Sequence, residues 1–409
     1  MEFLFIDGEK FCVYKDGKVQ TYSSSYIEKY RAAALQSAKN SEWKKKGRTE
    51  MLLNEDFYFE NDESVFVALN AVVPTEKENE LIYAFNVNDT SGIYLKYLDD
   101  EKKTEAHIIS SNEVEFCSLF HADAGLLATV KKGEIAADIA IFSKDKSDYK
   151  CVTGGDSLDE NPSFKKDGKI LFNSYGVGRD ENNNFVGYGG SEIYELDLSN
   201  MDIKEVLGKE EYSFIKPIEG GRGFYCIKKP VNEKERNNPL LEILMIPVRI
   251  VQGIVGFVSF FVTIFSGKSL VSDSSRKNGV GGAMARNFKK DERRLFVLNN
   301  FIQVDKEMKK NRRENFQSFI PKSWKLVEVE TDVNGGWTEG ELMSGTADYC
   351  ILDTGEIIAT NGKYIFSLTI DEKEKKVHRE RLVDTDCCLK VFPAKIFKTE
   401  KNTSVFDLI

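Results

Sequence analysis

The sequence predicts an all-β chain assembled from one recurring antiparallel sheet unit, and three observations carry that prediction. The first is the stretch from Thr153 to Asp197, where short apolar strands alternate with turn residues. Asn161-Pro162-Ser163-Phe164 reads as a strand start, with Pro at an edge position where its missing N–H does no harm. Lys166-Asp167-Gly168 reads as a tight turn, because Asp-Gly supplies the positive φ of a two-residue hairpin. Ile170-Leu171-Phe172 is an apolar run of buried-strand type, Gly176 to Gly190 reads as a polar loop, and Glu192 to Asp197 alternates with Ile193 and Leu196 inward.

The second observation is recurrence. The same scheme returns at His121 to Val130 with Asp138 to Phe142, at Asp353 to Thr360 with Lys363 to Leu368, and in degenerate form at Glu80 to Phe85 with Ser91 to Tyr97. The spacing of about 40 to 60 residues is that of four-stranded sheet repeats with loop insertions. The third is capacity. A chain of 409 residues, 41% hydrophobic, can bury a large core, and only 8 prolines leave no long Pro-rich linker.

The motif DENPSFKKDGKILFNS, beginning at Asp159, resembles the "sPsfSPDGkkIaF" repeat of TolB-like, WD40-like β-propellers, with Lys165-Lys166 where that family carries Ser-Pro. The resemblance implies a β-propeller. Six blades of roughly 45 residues would fit the length and leave room for insertions. Phe3 to Ile6, Phe11 to Tyr14 and Lys18 to Tyr22 read as three strands with turns at Asp7-Gly8 and Asp16-Gly17, and Phe3 to Ile6 is the candidate ring-closing strand. Further strands are expected at Val65 to Leu69, at Leu295 to Leu298 and at Trp324 to Val329, with the last blade running from about Asp348 to Val391. The expected organisation is one propeller domain over residues 1–409 carrying two insertions, at 24–46 and 239–290.

The first insertion reads as a helix from about Tyr26 to Lys39. Ser25 and Glu28 have capping-box spacing, and Ile27, Tyr30, Ala34, Leu35 and Ala38 share one face. It would pack on the propeller rim or, alternatively, bind a partner.

The second insertion sets the expected location. From Leu240 to Phe265 the only charges are Glu242 and Arg249. The uncharged run Ile250 to Phe265 is 16 residues, about 24 Å as a helix, which is short of a bilayer span. A single crossing would also place strands of one ring on opposite sides of the membrane. On a helical wheel Glu242, Arg249, Gln252, Gly253, Gly256, Ser259 and Thr263 form a narrow polar stripe. Val251, Ile254, Phe257, Val258, Phe261 and Ile264 fill a wide apolar face, as in a helix lying in a membrane interface. Residues 266–325 hold 15 Lys and Arg against 6 Asp and Glu, in a chain whose net charge is −9. Lys268, Arg276 and Lys277 follow the apolar run, and Lys228, Lys229, Lys234 and Arg236 precede it. The expected partner surface is therefore an anionic membrane, contacted through Arg249, the apolar face and these lysines and arginines. Nucleic acid is the weaker reading of the same basic runs, because the neighbouring helix is apolar and the remainder of the chain acidic.

Catalytic signatures are sparse. Gly155-Asp156-Ser157-Leu158 spells the motif of GDSL hydrolases, but mid-chain, and Lys375 stands where the acid before His378 would be. Gly267-Lys268-Ser269 lacks the first glycine of a P-loop. The three histidines, His107, His121 and His378, are too dispersed for a zinc site. No catalytic residue, metal or cofactor is assigned. Asp156, Asp159, Glu160, Arg179 and Asp180 are the candidates for ligand contacts in the channel or its loops. The loop from Arg179 to Asn184 is oxygen-rich but lacks the spacing of a calcium loop. Seven unpatterned cysteines and an N-terminus without a long apolar segment point to the cytoplasm. The expectation is a non-enzymatic propeller scaffold at the inner membrane face that binds a protein partner. The alternative is a soluble ligand-binding or enzymatic propeller using its central channel.

Overall fold

The computed structural model describes residues 1–36, 67–88, 90–99, 105–133, 135–231, 294–310, 317–331, 336–371 and 376–400. Two compact units are present, Met1–Val231 with Leu295–Ile409, and Asn232–Arg294. The expected apolar helix and basic tether of 239–290 lie outside the described residues, as do the distal part of the first insertion and Val65-Phe66.

The first unit is a β-propeller. Strands β1 (Glu2–Asp7), β2 (Lys10–Lys15) and β3 (Lys18–Tyr22) form an antiparallel meander. β4 (Val67–Pro74), β5 (Glu80–Val87), β6 (Thr90–Tyr97) and β7 (Glu105–Ser111) form the next sheet. β8 (Val114–Ala122), β9 (Gly125–Lys132), β10 (Ala136–Phe142) and β11 (Tyr149–Cys151) follow. Then come β12 (Ser157–Phe164), β13 (Ile170–Arg179), β14 (Phe185–Asp197) and β15 (Asp202–Leu207). β16 (Tyr212–Gly220) and β17 (Gly223–Pro230) begin a further sheet. It is completed, beyond a separate hairpin of β18 (Arg294–Val297) and β19 (Asn300–Gln303), by β20 (Lys325–Thr331) and β21 (Trp337–Ser344). The last sheet is β22 (Asp348–Ile351), β23 (Ile357–Thr360), β24 (Gly362–Asp371) and the outer half of β25 (Lys376–Pro393). Two helices accompany these strands among the described residues: α1 over residues 25–36, and α2 (Val304–Lys310) after β19.

Ring closure rests on β25. Its first half pairs with β24, and its second half pairs with β1, with Val391 opposite Phe5 and Pro393 opposite Phe3. One strand is thus the outermost of the last sheet and the innermost of the first. The termini do close the ring, as expected, but the C-terminal strand completes the N-terminal blade rather than the reverse. Among the described residues the strands form six antiparallel sets of four, and the innermost members abut in succession: β4 on β8, β8 on β12, β12 on β16, β16 on β22, β22 on β25 and β25 on β4. The chain beyond β25 straps the assembly. Phe397 forms a parallel bridge to Ala122, Thr399 donates to Asp123, and Glu400 donates its amide to the Lys166 carbonyl.

Turn chemistry explains the strand boundaries. Asp16 and Gly17 have φ of 47° and 82° and make the two-residue hairpin expected of Asp-Gly. At Asp167-Gly168 only the glycine is left-handed, and the turn closes from Lys165 to Lys169 as a three-residue loop. The same pair of hydrogen bonds recurs from Leu352 to Glu356 around Gly355, so the two repeats share a turn type. The polar segment read as a loop from Gly176 to Gly190 is mostly strand, since β13 runs to Arg179 and β14 starts at Phe185. Pro162 is at the inner edge of its blade, as expected. It lies in the innermost strand at a bulge, where the ladder skips a residue and needs no N–H.

Helix α1 starts one residue earlier than the capping-box spacing implies. The Ile27 amide donates to Ser24 Oγ at 3.2 Å, making Ser24 the N-cap, and the same hydroxyl meets Tyr83 Oη at 2.7 Å. The Glu105 carboxylate accepts the amides of Ser25 and Tyr26, both at 3.2 Å, and the Ser25 hydroxyl. An internal anion thus sits at the positive end of the helix dipole. Lys96 Nζ balances it at 3.1 Å. The face turned to the core is Tyr26, Ile27 and Tyr30, packed on Phe85 and Tyr94, whereas Leu35 is 41% exposed. Ser24→Ala is expected to cost about 1–2 kcal/mol, from the lost cap and from a buried Tyr83 hydroxyl left without its partner, read as a lower denaturation midpoint with an unchanged denaturant slope.

Candidate functional site

The innermost strands carry polar residues where a propeller core would otherwise be apolar, and local irregularities place them. β4, β8, β12 and β16 each shift register near their middle, around Asn70, Cys117, Asn161 and Lys216 respectively. Asn161 and Lys216 both precede proline and both adopt left-handed backbone, with φ of 53° and 54°. Such bulges re-aim side chains and release main-chain groups from the ladder. Asn173 on β13 uses its Oδ1 to accept from Asn161 Nδ2 and the Lys216 amide, each at 3.0 Å, which ties the two bulges together.

Lys390 Nζ, from the inner half of β25, donates to the Asn70 carbonyl at 2.5 Å and reaches the Cys117 carbonyl at 3.4 Å. Lys216 Nζ pairs with Asp348 Oδ1 at 2.6 Å, while Asp348 Oδ2 accepts the Val391 amide at 2.9 Å. The Tyr349 hydroxyl lies 2.6 Å from both the Lys216 and Tyr225 carbonyl oxygens. These contacts join four inner strands and the ring closure through charged groups. Lys229 on β17 is 4% exposed, donates to the Leu298 carbonyl at 2.5 Å and lies 5.2 Å from the Trp324 ring.

The hairpin β18–β19 supplies the last wall. Leu298 and Asn299 both have positive φ, 46° and 61°, as the two central residues of a tight primed turn. Asn299 Nδ2 donates to Glu160 Oε2 at 3.1 Å. Leu295 to Leu298 was expected to belong to a blade. It instead pairs only with β19, and the tip of this hairpin reaches the inner-strand residues.

Burial pushes the Glu160 carboxyl above the usual carboxylate range, opposed by the Asn299 hydrogen bond and the nearby Lys390, Lys229 and Lys131. Burial pulls the Lys390 ammonium down, opposed chiefly by Asp348. The Cys117 thiol is pushed up to about 12 by burial, and so is held as an unreactive thiol. The Tyr175 hydroxyl, on a side chain only 3% exposed, lies beside Asn299 and Ser191, and burial pushes it well above the usual phenol range.

The five residues singled out as ligand contacts separate. Glu160 reaches the ring centre. Asp159, one residue earlier, accepts from the Ser174 hydroxyl at 2.6 Å within its own blade. Asp156 and Arg179 form an exposed two-point ion pair at 2.5 and 2.7 Å. Asp180 accepts the Asn182 and Asn184 amides at 2.9 and 2.8 Å, so its oxygens hold its own loop. Ser157 of the GDSL motif pairs with Gly176 in the β12–β13 ladder. His121 Nδ1 lies 2.7 Å from the Pro74 carbonyl, and His107 Nε2 lies 3.0 Å from Ser110 Oγ, both in other blades. Lys228 and Lys229 leave the expected basic flank: Lys228 pairs with Glu339 and stacks on Tyr212, and Lys229 is interior. The ten residues expected to contact membrane, Arg249 to Lys277, lie outside the described residues. Lys390, Tyr175, Asn299, Lys216 and Asp348 were not anticipated. The one available signal was the pair of X-Pro dipeptides, Asn161-Pro162 and Lys216-Pro217, at matching strand positions.

No family model matches the sequence, and no curated protein does. Among solved structures, TolB from Acinetobacter baumannii is 10% identical at a TM-score of 0.45, covering 96% of this chain and 66% of that one. A protein from Lactobacillus plantarum is 8% identical at 0.43, covering 96% and 99%. The tricorn protease is 10% identical at 0.40, covering 96% and 35%. At these values the likeness carries no argument about binding or catalysis. The propeller assignment rests on the strand pairing itself.

Proposed function

We propose that the chain is a non-catalytic, six-bladed propeller scaffold that rests on an anionic cytoplasmic membrane surface and presents its loops to a protein partner. The observation that carries this reading is connectivity. β17 ends at Pro230 and pairs directly with β20, so the sheet ladder runs past the insertion and the ring closes without it. An insertion that leaves and re-enters within one sheet suits an attachment element that does not span. Among the described residues no helix is long and apolar enough to cross a membrane. Ser157 of the GDSL motif lies in a strand ladder, which agrees with reading that motif as non-catalytic.

The test is flotation with vesicles. Five or six apolar side chains from the Val251–Ile264 face would contribute several kcal/mol at about 25 cal/mol per Å² buried. Lys268, Arg276 and Lys277 would add roughly 1 kcal/mol each near anionic lipid. Deleting residues 240–265 should release the protein from vesicles with its β circular dichroism intact. Reversing the three basic charges should weaken binding to anionic vesicles and spare neutral ones. Equal flotation of the deleted and intact proteins would refute the membrane reading. A second reading, a small-ligand site at the ring centre, is favoured by the buried lysines described above.

A further inference from the structure

We propose that the outer face of the β18–β19 hairpin is a second contact with anionic lipid, in which Phe296 and Phe301 enter the membrane interface and the exposed lysines of α2 meet the headgroups. The proposal rests on the membrane reading above and adds to it a fixed element outside the insertion.

Strand alternation defines the face. The two-residue turn at Leu298-Asn299 sets Phe296 opposite Phe301 on one side of the hairpin, and Leu295 opposite Ile302 on the other. The inner side is held in place. Val297 and Ile302 are buried with Ile320, Trp324 and Ala347. Asn299 donates to Glu160, and the Leu298 carbonyl accepts from Lys229. The outer side faces solvent: Phe296 is 58% exposed and Phe301 67%, with ring centroids 4.9 Å apart. Among the described residues these are the two most exposed phenylalanines. The hairpin belongs to no blade, since its strands pair only with each other. A single exposed apolar residue needs no explanation, but a packed aromatic pair held on a fixed support is a prepared contact.

Charge selects the occupant. β19 runs directly into α2, where Val304 and Glu307 are buried and Lys306, Lys309 and Lys310 are exposed. The chain returns to the described residues at Arg294, two residues before Phe296. Residues 286–313 hold ten Lys and Arg against four Asp and Glu, in a chain whose net charge is −9. An apolar groove on a protein partner would need the aromatic pair alone. Positive charge concentrated beside that pair, on an otherwise acidic chain, complements an anionic headgroup layer, where aromatic rings settle at the interface and lysines meet phosphates.

The experiment is flotation of the full chain with phosphatidylcholine vesicles and with vesicles that also contain phosphatidylserine. The double variant Phe296→Ser, Phe301→Ser should bind the phosphatidylserine vesicles roughly tenfold to hundredfold more weakly, as expected for two partly buried rings. Its thermal midpoint should stay near that of the parent, because both side chains are exposed in the folded chain. Phe296→Leu with Phe301→Leu should recover most of the binding. Lys309→Glu should weaken binding to the anionic vesicles and spare the neutral ones. In Phe301→Trp the added indole should shift its emission to the blue on contact with vesicles and be quenched by brominated lipid, beyond any change in the parent. A serine pair that floats like the parent, while deletion of residues 240–265 releases the chain, overturns this proposal and leaves the membrane reading standing. An indole at position 301 whose emission the vesicles leave unchanged also overturns it. No flotation of the intact chain overturns the proposal together with the reading beneath it.

Discussion

Asp348→Ala is expected to lower the unfolding free energy by about 3–5 kcal/mol, the cost of stranding one member of a buried ion pair. Asp348 is 5% exposed, and its two oxygens serve different strands: one meets Lys216 of β16, the other the Val391 amide of β25. Removing the carboxylate leaves an interior ammonium without its partner and unfastens the closing strand. The double variant Asp348→Ala, Lys216→Met should recover much of the loss, because it removes the charge that the single variant strands. Urea midpoints of the two single variants and the double variant measure this directly. A single-variant loss under 1 kcal/mol would mean that closure does not depend on the pair.

Glu105→Ala is expected to be nearly as severe but confined to one region. The carboxylate is 1% exposed and collects two helix amides, one hydroxyl and the Lys96 ammonium. Its loss should cost about 3 kcal/mol, from an uncapped helix end and an unpaired lysine that is 11% exposed. Local opening reports this better than global melting. Amides of residues 25–36 should exchange much faster, and trypsin should cut after Lys29 and Arg31, while the β4–β7 sheet keeps its protection. If α1 stayed protected, its packing through Tyr26 and Tyr30 rather than its cap would be what holds it.

What could be read from the sequence divides along a physical line. The hairpins were legible because their determinants are local: Asp16-Gly17 can adopt left-handed backbone, and Ile170-Leu171-Phe172 has the pattern of a buried strand. The closing pair of termini was legible in outline, because Phe3 to Ile6 reads as a terminal strand and the resemblance to propellers implies closure by a terminal strand. The ring centre was not. Lys390, Lys216 and Asp348 are far apart in sequence and look like surface charges until bulges and closure bring them together. Glu160 was singled out together with Asp156 and Asp159 as a carboxylate for the channel, yet its adjacent residue Asp159 faces a different partner. Neighbours on a strand point to opposite sides, and a bulge changes which side is which. The N-cap was misplaced by one residue because Glu28 gives Ser25, and not Ser24, the capping-box spacing. Two contacts from distant strands decide otherwise: Tyr83 of β5 takes the Ser24 hydroxyl, and Glu105 of β7 takes that of Ser25.

The double duty of β25 bears on how the molecule is made. While the chain emerges from the ribosome, β1 has no inner neighbour, and its unpaired backbone edge, with Phe3 and Phe5 beside it, waits for residues 388–393. Translation at roughly 5–20 residues per second keeps that edge open for tens of seconds, long enough to pair with a neighbouring nascent chain. A shielding factor engaged early in synthesis would relieve the hazard. So would a permuted chain beginning at β22, in which β25 is complete before β1 appears.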